Sequence, residues 1–590
     1  MWISRITLKN FRKVPSDQLL SVELKEGLNL IIGENNIGKT TITDAISLCL
    51  SYGNPEKVIW LKEDDFHDKE KPIEIIIEFS DLNPSQEAAF LPALVLDKND
   101  QHKLKFEFNF EMKDDRVYPN IKCGELGLTS NPYDLLKFLK SIYLQALRDV
   151  NLEFQPGYKS RLGKIVKKRF PEDTRSFEDI FNTANQEALK YQGDKNPVKE
   201  LEGETNINIE KLSLMGDDNK INLSFVEQEF TRILTNIVMK TKQKGLDVRT
   251  NGLGYNNLIY ISTVLTELKV EELISPHTFN CLLIEEPEAH LHPQLQTLLL
   301  EFLQTVYSSI QVILTSHSPT ITSAINFDNI NLLVKKNQNT QSVLIKNTKL
   351  ERENKDFLRR YLDVTKSQLF FARKIIFVEG ITEAMLMKAF WNYIYDNPDD
   401  KFDRQGIEVV NIQGIAFRPY IDLIRNVFTE TKVKSVIITD DDRGTGKGCI
   451  ESKRFLKNSD IKPTSEIISI FDQAPISNRA SNLKIEVDKL KKEGVPVDIF
   501  LARKTFEVEF GIENEKNKSF FKEIIDSNNL QGFSGITLGI EVWRNIVNKD
   551  IKTDFAEKIL KIFASYEKQK RSGLIVPQYI IDAFKFLKDD

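Results

Sequence analysis

The stretch IIGENNIGKT, residues 31–40, decides the fold of the first half of the chain. Gly33–Thr40 within it, here named the phosphate loop, matches G-x-x-x-x-G-K-[ST], whose backbone N–H groups wrap a phosphate at the start of a helix. The apolar strand GLNLIIG overlaps its start, and ITDAISLCL after it has apolar residues at helical spacing. The residues predicted to bind ATP and its magnesium ion are Asn35, Asn36, Gly38, Lys39, Thr40 and Thr41.

Two later strands end in polar residues that suit the same site. CLLIEEPEAHLHP places Glu285 and Glu286 at the end of an apolar strand, where Glu285 could hold Mg²⁺ beside Thr40 and Glu286 could activate the attacking water. The alternative is that EEPE only caps a helix. VILTSHSP ends another strand with His317, which is either a structural histidine or a contact for the γ-phosphate. The order of the three motifs favours ATP hydrolysis.

A second group of carboxylates occurs far along the chain. RKIIFVEGITEAML leads an apolar strand into Glu379 and sets Glu383 at the start of a helix, and KSVIITDDDRGTG ends another strand with Asp440 and Asp442. Either motif alone could be a helix cap or a solvated turn. Together, at strand ends of one α/β unit, they predict an oxygen-rich site for a hard divalent cation such as Mg²⁺ or Mn²⁺, or Ca²⁺ in a crystal.

Composition limits the classes of protein that fit these motifs. A chain of 590 residues with a formal charge of −5 is expected to form several domains, and to hold any nucleic acid through local basic patches. Its four cysteines form no close pair, and no run is long and apolar enough to span a bilayer. We expect a cytoplasmic protein without a membrane partner.

The sequence pattern predicts that the chain divides into two α/β units near residue 366. Residues of about 73 to 125 alternate as an antiparallel sheet over the nucleotide site, and residues of about 150 to 250 are mainly helical and polar. Strand and helix alternation starts afresh at RKIIFVEG, and the charged helical stretch SNRASNLKIEVDKLKKEG interrupts the second unit. The predicted fold class is therefore α/β in both units.

The motifs of the first unit resemble the ATP-binding-cassette ATPases of the SMC and RecF type, in which two heads sandwich the nucleotide. The resemblance implies a signature loop before the strand that ends in Glu285. TNGLGYNNLIY is a degenerate candidate for it, with Gly252, Gly254 and Asn256, or an ordinary glycine turn. Gln145 in YLQALRD is the candidate Q-loop glutamine, and Gly254 the candidate contact to ATP across a dimer.

The second unit resembles a TOPRIM domain, and the whole arrangement is similar to the OLD (overcoming lysogenisation defect) family of nucleases, which includes the nuclease subunit of the Gabija antiphage system. This resemblance implies an ATPase domain at 1–365 with a helical dimerisation insert at about 150–235. It also implies a Rossmann-like TOPRIM nuclease domain with a helical insertion at 366–590. The family's activity is metal-dependent DNA cleavage in phage defence or phage exclusion.

The resemblance also assigns roles to individual residues. Glu379 and Glu383 match the first acidic pair, Asp440 and Asp442 match D-x-D, and Glu507, two positions after a threonine, matches the later acidic residue. These five form what is called here the acidic cluster. Two ions about 4 Å apart would then clamp the scissile phosphate. One would be held by Glu379, Asp440 and Asp442, the other by Glu383 and Glu507.

A basic residue near the C-terminus completes the family's pattern, and Lys568 and Lys570 in YEKQKRSGL are the candidates. The expected partners are DNA, further copies of the chain as a homodimer or higher homo-oligomer, and a helicase-like or other defence protein. Two other functions stay open. One is an SMC-like ATPase that clamps DNA with a purely structural metal, and the other is a toxin nuclease that cleaves RNA or tRNA with the same site.

Overall fold

The computed structural model describes most of the chain. The described residues are 1–52, 59–96, 101–124, 132–146, 154–155, 157, 161–169, 174–190, 196–212, 220–225, 229–241, 245, 247–289, 291–306, 310–336, 339–362, 366–429, 433–444, 471, 474–522, 532–565 and 573–589. The strands are β1 (Trp2–Lys9), β2 (Leu20–Glu23), β3 (Leu28–Gly33), β4 (Ile73–Ser80), β5 (Leu94–Leu96), β6 (His102–Lys113), β7 (Arg116–Cys123), β8 (Leu139–Leu144), β9 (Phe279–Glu285), β10 (Gln311–Thr315), β11 (Ile330–Lys336), β12 (Asn339–Leu344), β13 (Lys374–Val378), β14 (Ile407–Asn411), β15 (Lys434–Asp440) and β16 (Val497–Ala502).

The helices follow the same order along the chain. They are α1 (Lys39–Leu50), α2 (Pro84–Ala89), α3 (Pro132–Leu136), α4 (Arg161–Arg169), α5 (Thr174–Lys190), α6 (Pro197–Leu212), α7 (Phe230–Thr235), α8 (Leu253–Ile274), α9 (Pro293–Val306), α10 (Pro319–Ala324), α11 (Arg352–Tyr361), α12 (Ile381–Ile394), α13 (Arg418–Leu423), α14 (Asn478–Lys492), α15 (Phe506–Glu513), α16 (Lys518–Phe521), α17 (Gly535–Lys549), α18 (Lys552–Phe563) and α19 (Gln578–Lys588). Among the described residues, no helix has both the length and the apolar character needed to cross a bilayer.

The predicted antiparallel sheet is present in the first half. Its strands run in the order β2-β1-β4-β6-β5, with β7 paired to β6. Buried residues alternate with half-buried ones along β4, because successive side chains of a strand point to opposite faces. The buried face packs on α1 and shares one hydrophobic core with it.

The second sheet carries the phosphate loop. Its order is β12-β11-β3-β10-β9-β8, and β3, β8, β9, β10 and β11 are parallel. Every residue of β3, β9 and β10 is buried, as expected for central strands covered on both faces. Because β10 lies between β3 and β9, the loops that follow these three strands meet at one edge.

The third sheet lies in the second half and is parallel throughout. Its order is β14-β13-β15-β16, so the chain ends of β13 and β15 are neighbours. The predicted charged helix is α14, which lies between β15 and β16 along the chain. The α/β class predicted for both units is confirmed.

The two halves are joined by packing as well as by the chain. One hydrophobic core contains side chains of the second sheet, such as Leu30, and of the third, such as Phe377. Helix α11 contacts α13, where buried Asn354 donates a hydrogen bond to Asp422. A domain boundary near residue 366 stays a prediction.

Candidate functional site

The phosphate loop turns sharply between β3 and α1. Gly33 has φ 154°, and a Cβ there would lie 2.7 Å from the carbonyl oxygen of Leu333 in the neighbouring strand. Gly38 has φ 113° and begins α1 without a side chain to cap it. Backbone N–H groups at this helix start are therefore available to an anion, and the helix dipole favours one.

Lys39 is already turned into the phosphate loop. Its buried Nζ donates hydrogen bonds to the carbonyl oxygens of Gly33 (3.0 Å) and Glu34 (2.9 Å). Burial lowers the pKa of Lys39 to about 8, against the opposing charges of Glu286 and other carboxylates. The ammonium thus rests on neutral acceptors that a phosphate would replace.

The other predicted loop residues divide by exposure. Asn35, Asn36 and Thr40 face solvent, whereas Thr41 is buried under the loop. Asn36 takes a left-handed conformation with φ 64°, which asparagine tolerates better than most residues. Asn35, Asn36 and Thr40 can therefore contact a nucleotide, whereas Thr41 supports the loop from the protein interior.

Glu285 ends β9 and is buried beside the phosphate loop. Its Oε1 accepts a hydrogen bond of 2.9 Å from the Oγ1 of Thr43 in α1. The hydroxyl of Tyr143 lies 3.5 Å from the same Thr43 oxygen, and burial together with Glu285 raises the pKa of that tyrosine. Glu285 therefore stands next to α1, one turn further along the helix than Thr40.

Glu286 and His317 face each other across the ends of β9 and β10. The Nε2 of His317 lies 3.9 Å from a Glu286 carboxylate oxygen, and Glu286 has a strained φ of 43°. Burial and the charge of Lys39 lower the pKa of His317 to about 4. The imidazole is therefore neutral near pH 7, and its contact with Glu286 is not an ion pair there.

The sequence analysis overlooked Glu288, which fixes the histidine in place. One Glu288 oxygen accepts hydrogen bonds from the Oγ of Ser316 and the backbone N of His317, both 2.8 Å. Its other oxygen is buried with no hydrogen-bond partner among the described residues. Burial raises the pKa of Glu288. Glu288 is the third glutamate of EEPE, and its closeness in sequence to Glu285 and Glu286 could have indicated that it belongs to the site.

The two residues carried over from the cassette ATPases lie on elements beside the site. Gln145 directly follows β8, which pairs with β9 in parallel. Gly254 lies in the first turn of α8, next to exposed Leu253 and Tyr255, while Asn256 is fully buried. The roles of Gln145 and Gly254 stay predictions.

Two contacts connect the nucleotide site to the second half. The guanidinium of Arg373, directly before β13, donates to both carboxylate oxygens of Glu34 at 3.2 Å. The ring of Phe371 lies 6.4 Å from that of His317, centroid to centroid. Both contacts come from the short segment that leads into β13.

The acidic cluster is assembled by the third sheet and two helix starts. Glu379 follows β13 and Asp440 ends the adjacent β15, with Asp442 two residues on. Glu383 lies in the first turn of α12, and Glu507 in the first turn of α15, which Thr505 caps through its side chain. All five predicted carboxylates therefore lie close enough for their charges to interact, and their role as metal ligands stays a prediction.

Burial and mutual repulsion hold protons on this cluster. Glu383 is buried, and burial followed by the charge of Glu507 raises its pKa to about 7. Burial, then Glu383 and Glu507, raises the pKa of Asp440 well above its usual range. The cluster thus carries more negative charge than its surroundings stabilise, as expected of a cation site.

Two cations that the sequence analysis missed reach into the cluster. The Nζ of Lys552, the first residue of α18, lies 3.4 Å from Glu507. Glu507 first, then Asp440 and Glu383, raise the pKa of Lys552 against the effect of burial. Arg479 of α14 binds Glu379 and Asp442. The other candidates, Lys568 and Lys570, lie outside the described residues.

A buried tyrosine hydroxyl lies near the acidic cluster. Tyr579 of α19 has its hydroxyl buried with no hydrogen-bond partner among the described residues. Burial, followed by the charges of Glu383 and Asp440, raises the pKa of this tyrosine. An orphaned polar atom beside buried carboxylates fits a site that takes up an ion with its water. No three acidic, histidine or cysteine side chains of the described residues already stand grouped as an ion's ligands.

Two family models match the chain, one in each half. Residues 1–322 match a model described as AAA ATPase domain. Residues 370–442 match one described as overcoming lysogenization defect protein-like, TOPRIM domain. The second match contains Glu379, Glu383, Asp440 and Asp442, so it coincides with most of the acidic cluster. These domains imply that the chain uses a nucleotide and a divalent metal.

Similar proteins include two named nucleases. Endonuclease GajA of Bacillus cereus (strain HuB5-5) is 27% identical over 489 residues, which cover 75% of this chain but only 65% of the relative. The OLD nuclease of Thermus scotoductus (strain ATCC 700910 / SA-01) is 24% identical over 466 residues, 75% of this chain and 82% of that one. An SMC head bound to the C-winged helix domain of ScpA covers 58% of this chain and 98% of its own at 13% identity, with a TM-score of 0.36.

Proposed function

Because the chain belongs to the AAA ATPase domain family and matches an OLD-like TOPRIM domain in its second half, we propose that it is an ATP-hydrolysing, metal-dependent DNA endonuclease. The observation that carries the proposal is the acidic cluster at the carboxyl ends of β13 and β15, in the same chain as a complete phosphate loop. The relatives named as nucleases support it. The proposed setting is phage defence in the cytoplasm.

The nuclease chemistry rests on the five carboxylates of the acidic cluster, whose charges act on one another. Glu379, Asp440 and Asp442 would hold one Mg²⁺ or Mn²⁺ ion, and Glu383 with Glu507 would hold a second. When bound, such ions supply a hydroxide nucleophile and stabilise the leaving oxygen. Lys552 keeps its positive charge at the edge of the cluster, where it would stabilise the negative charge that develops on the phosphate.

The ATPase chemistry rests on the edge where β3, β9 and β10 end. Lys39 would exchange its backbone acceptors for the terminal phosphates, while Thr40 and Glu285 would hold Mg²⁺. Glu286 would orient the attacking water, and neutral His317 would donate a hydrogen bond to the γ-phosphate. Proposed partners are DNA, a second copy of the chain and a further defence protein.

Plasmid cleavage tests the proposal most directly. Purified wild type and Glu379→Ala would be incubated with supercoiled plasmid in Mg²⁺ or Mn²⁺, with and without ATP, and nicked and linear forms separated on a gel. We expect wild type to nick and Glu379→Ala to be slower by more than about 100-fold, because an ion loses a ligand. ATP turnover should stay the same in both proteins.

The negative outcomes are informative. Equal cleavage by Glu379→Ala would refute the site. Cleavage by neither protein, with ATP turnover intact, would favour an RNA substrate or a DNA clamp, and cleavage of labelled RNA by wild type would separate these two.

A further inference from the structure

Arg479 lies against the part of the acidic cluster that Glu379 and Asp442 form. Its guanidinium donates to Glu379 Oε2 (3.1 Å) and twice to Asp442 Oδ2 (3.1 and 2.6 Å). It also donates to the Asp440 carbonyl oxygen (2.9 Å) and to the Thr439 hydroxyl (3.3 Å). Two of the three carboxylates proposed for the first ion are thus already bound to a cation of the chain itself.

Arg479 lies in the first turn of α14, and the start of this helix is hydrogen-bonded to the loop after β15. Ser477 caps α14, accepting from the backbone N of Ala480, and its own backbone N donates to the Asp441 carbonyl oxygen at 2.9 Å. Ala480 is fully buried. The start of α14 is therefore attached to the loop between Asp440 and Asp442, and a change in the side-chain conformation of Arg479 is enough to free Glu379 and Asp442.

We infer that Arg479 is a displaceable counter-cation: a divalent ion takes its place on Glu379 and Asp442, and the released guanidinium then binds the DNA phosphate. The inference rests on the proposed nuclease function. An arginine keeps its proton under all ordinary conditions, so it can give way to a metal only by moving. Its planar fork, once free, suits two phosphate oxygens.

Arg443, next to Asp442 along the chain, forms an ion pair that is more deeply buried than the pairs of Arg479. Arg443 binds Asp441 through Nε (2.8 Å) and a terminal nitrogen (2.6 Å), and Asp441 is 1% exposed and also accepts from the backbone N of Lys504. Asp441 is therefore committed to the fold. The side chains of Glu379 and Asp442 are 21% and 31% exposed, so an ion from solvent can reach them.

Metal binding tests the displacement without relying on cleavage. Calorimetric titration of Mn²⁺ into the full chain without DNA should give a dissociation constant on the order of tenfold lower for Arg479→Ala than for wild type, because no cation is displaced. Arg479→Lys, which keeps the charge without the fork, should lie between them. An unchanged or higher constant for Arg479→Ala would overturn the inference.

Two controls separate displacement from general damage. Arg443→Ala removes the adjacent ion pair and should leave Mn²⁺ affinity unchanged. In Glu379→Ala/Arg479→Ala the tighter binding should disappear, since the ion has lost its own ligand. Thermal melting in EDTA and in Mn²⁺ should show a larger metal-induced rise in Tm for Arg479→Ala than for wild type. An equal rise in Tm for the two proteins would contradict the role of Arg479 as a displaceable counter-cation.

The phosphate step predicts an opposite change in DNA affinity. With Ca²⁺ in place of the catalytic ion, fluorescence anisotropy of a labelled duplex should show several-fold weaker binding by Arg479→Ala, and the salt dependence should fall by about one phosphate contact. Unchanged DNA affinity would overturn this step. Wild type that binds Mn²⁺ but cuts no plasmid would refute the proposed DNA cleavage instead, while the Mn²⁺ dissociation constants still decide whether the ion displaces Arg479.

Discussion

The phosphate loop and the acidic cluster lie in similar places but await ligands of opposite charge. Both lie at the carboxyl ends of parallel strands. In the phosphate loop the buried lysine, Lys39, donates hydrogen bonds to backbone carbonyl oxygens. In the acidic cluster the cations Arg479 and Lys552 are bound to carboxylates, yet the pKa of Glu383 is still raised to about 7, by burial and by Glu507.

The difference shows how one type of sheet edge serves two chemistries. The loop after β3 presents N–H groups and one ammonium, and so favours an anion. The strand and helix ends around β13 and β15 present carboxylates, and so favour a cation. The preferred charge of the ligand therefore depends on the local backbone and on a few side chains at the edge, not on the sheet itself. Replacing the charged side chains of one site should therefore abolish the function of that site and leave the other site active.

The largest effect that separates the sites is expected from Lys39→Ala. The loop loses its ammonium but keeps its backbone, so the protein should fold while ATP binding is lost. Equilibrium binding of a fluorescent ATP analogue would measure this, beside plasmid cleavage without ATP. Cleavage without ATP should stay at the wild-type level. A parallel loss of that cleavage would show that the two sites are not separable.

The next largest effect is expected from replacing Lys552, the lysine of the acidic cluster. Lys552→Met should reduce the cleavage rate by about 100-fold, because the phosphate's developing charge loses a donor in a partly buried site. Lys561→Met on the same helix is the matched control, since Lys561 is exposed and pairs with Glu557. Plasmid cleavage rates at saturating Mn²⁺ measure both.

The same assay decides between Lys552 and the two lysines favoured by the sequence. Lys568→Met and Lys570→Met should cleave normally if Lys552 is the basic residue of the site. Loss of activity in either one, with a normal Lys552→Met, would reverse the assignment.

Sequence was sufficient where the motif and the element coincide. Lys39 and Asp440 follow or end buried strands, and local patterns place them without knowledge of the tertiary fold. Arg479 and Lys552 could not be found this way. Each is one basic residue among the 81 lysines and arginines, on a helix start whose position depends on how α14 and α18 pack. Residues that act by counter-charge need the tertiary structure.

A smaller effect concerns the proton balance of the nucleotide site. Burial, and then the charge of Lys39, lower the pKa of His317 to about 4, so the folded protein binds fewer protons there than the unfolded chain between about pH 6.5 and 4. This site therefore costs stability as pH falls through that range. His317→Gln should lose less stability than wild type between pH 7 and pH 5, measured as the urea midpoint. An equal loss in both would mean that His317 titrates normally.

The smallest effect is expected where the phosphate loop contacts the segment before β13, at the Glu34–Arg373 pair. The pair is largely exposed, so its own contribution to stability is at most about 1 kcal/mol. Glu34 belongs to the phosphate loop, and Arg373 leads into β13, the strand that Glu379 follows. We therefore expect nucleotide bound in the loop to act on the acidic cluster through this pair. Arg373→Ala should leave cleavage without ATP unchanged and reduce the change that ATP causes by about threefold. Arg404→Ala, which breaks the exposed pair with Asp399, should leave the ATP response as in wild type. If Arg373→Ala also responded like wild type, the two opposite sites would share a chain and a core but no signal through this contact.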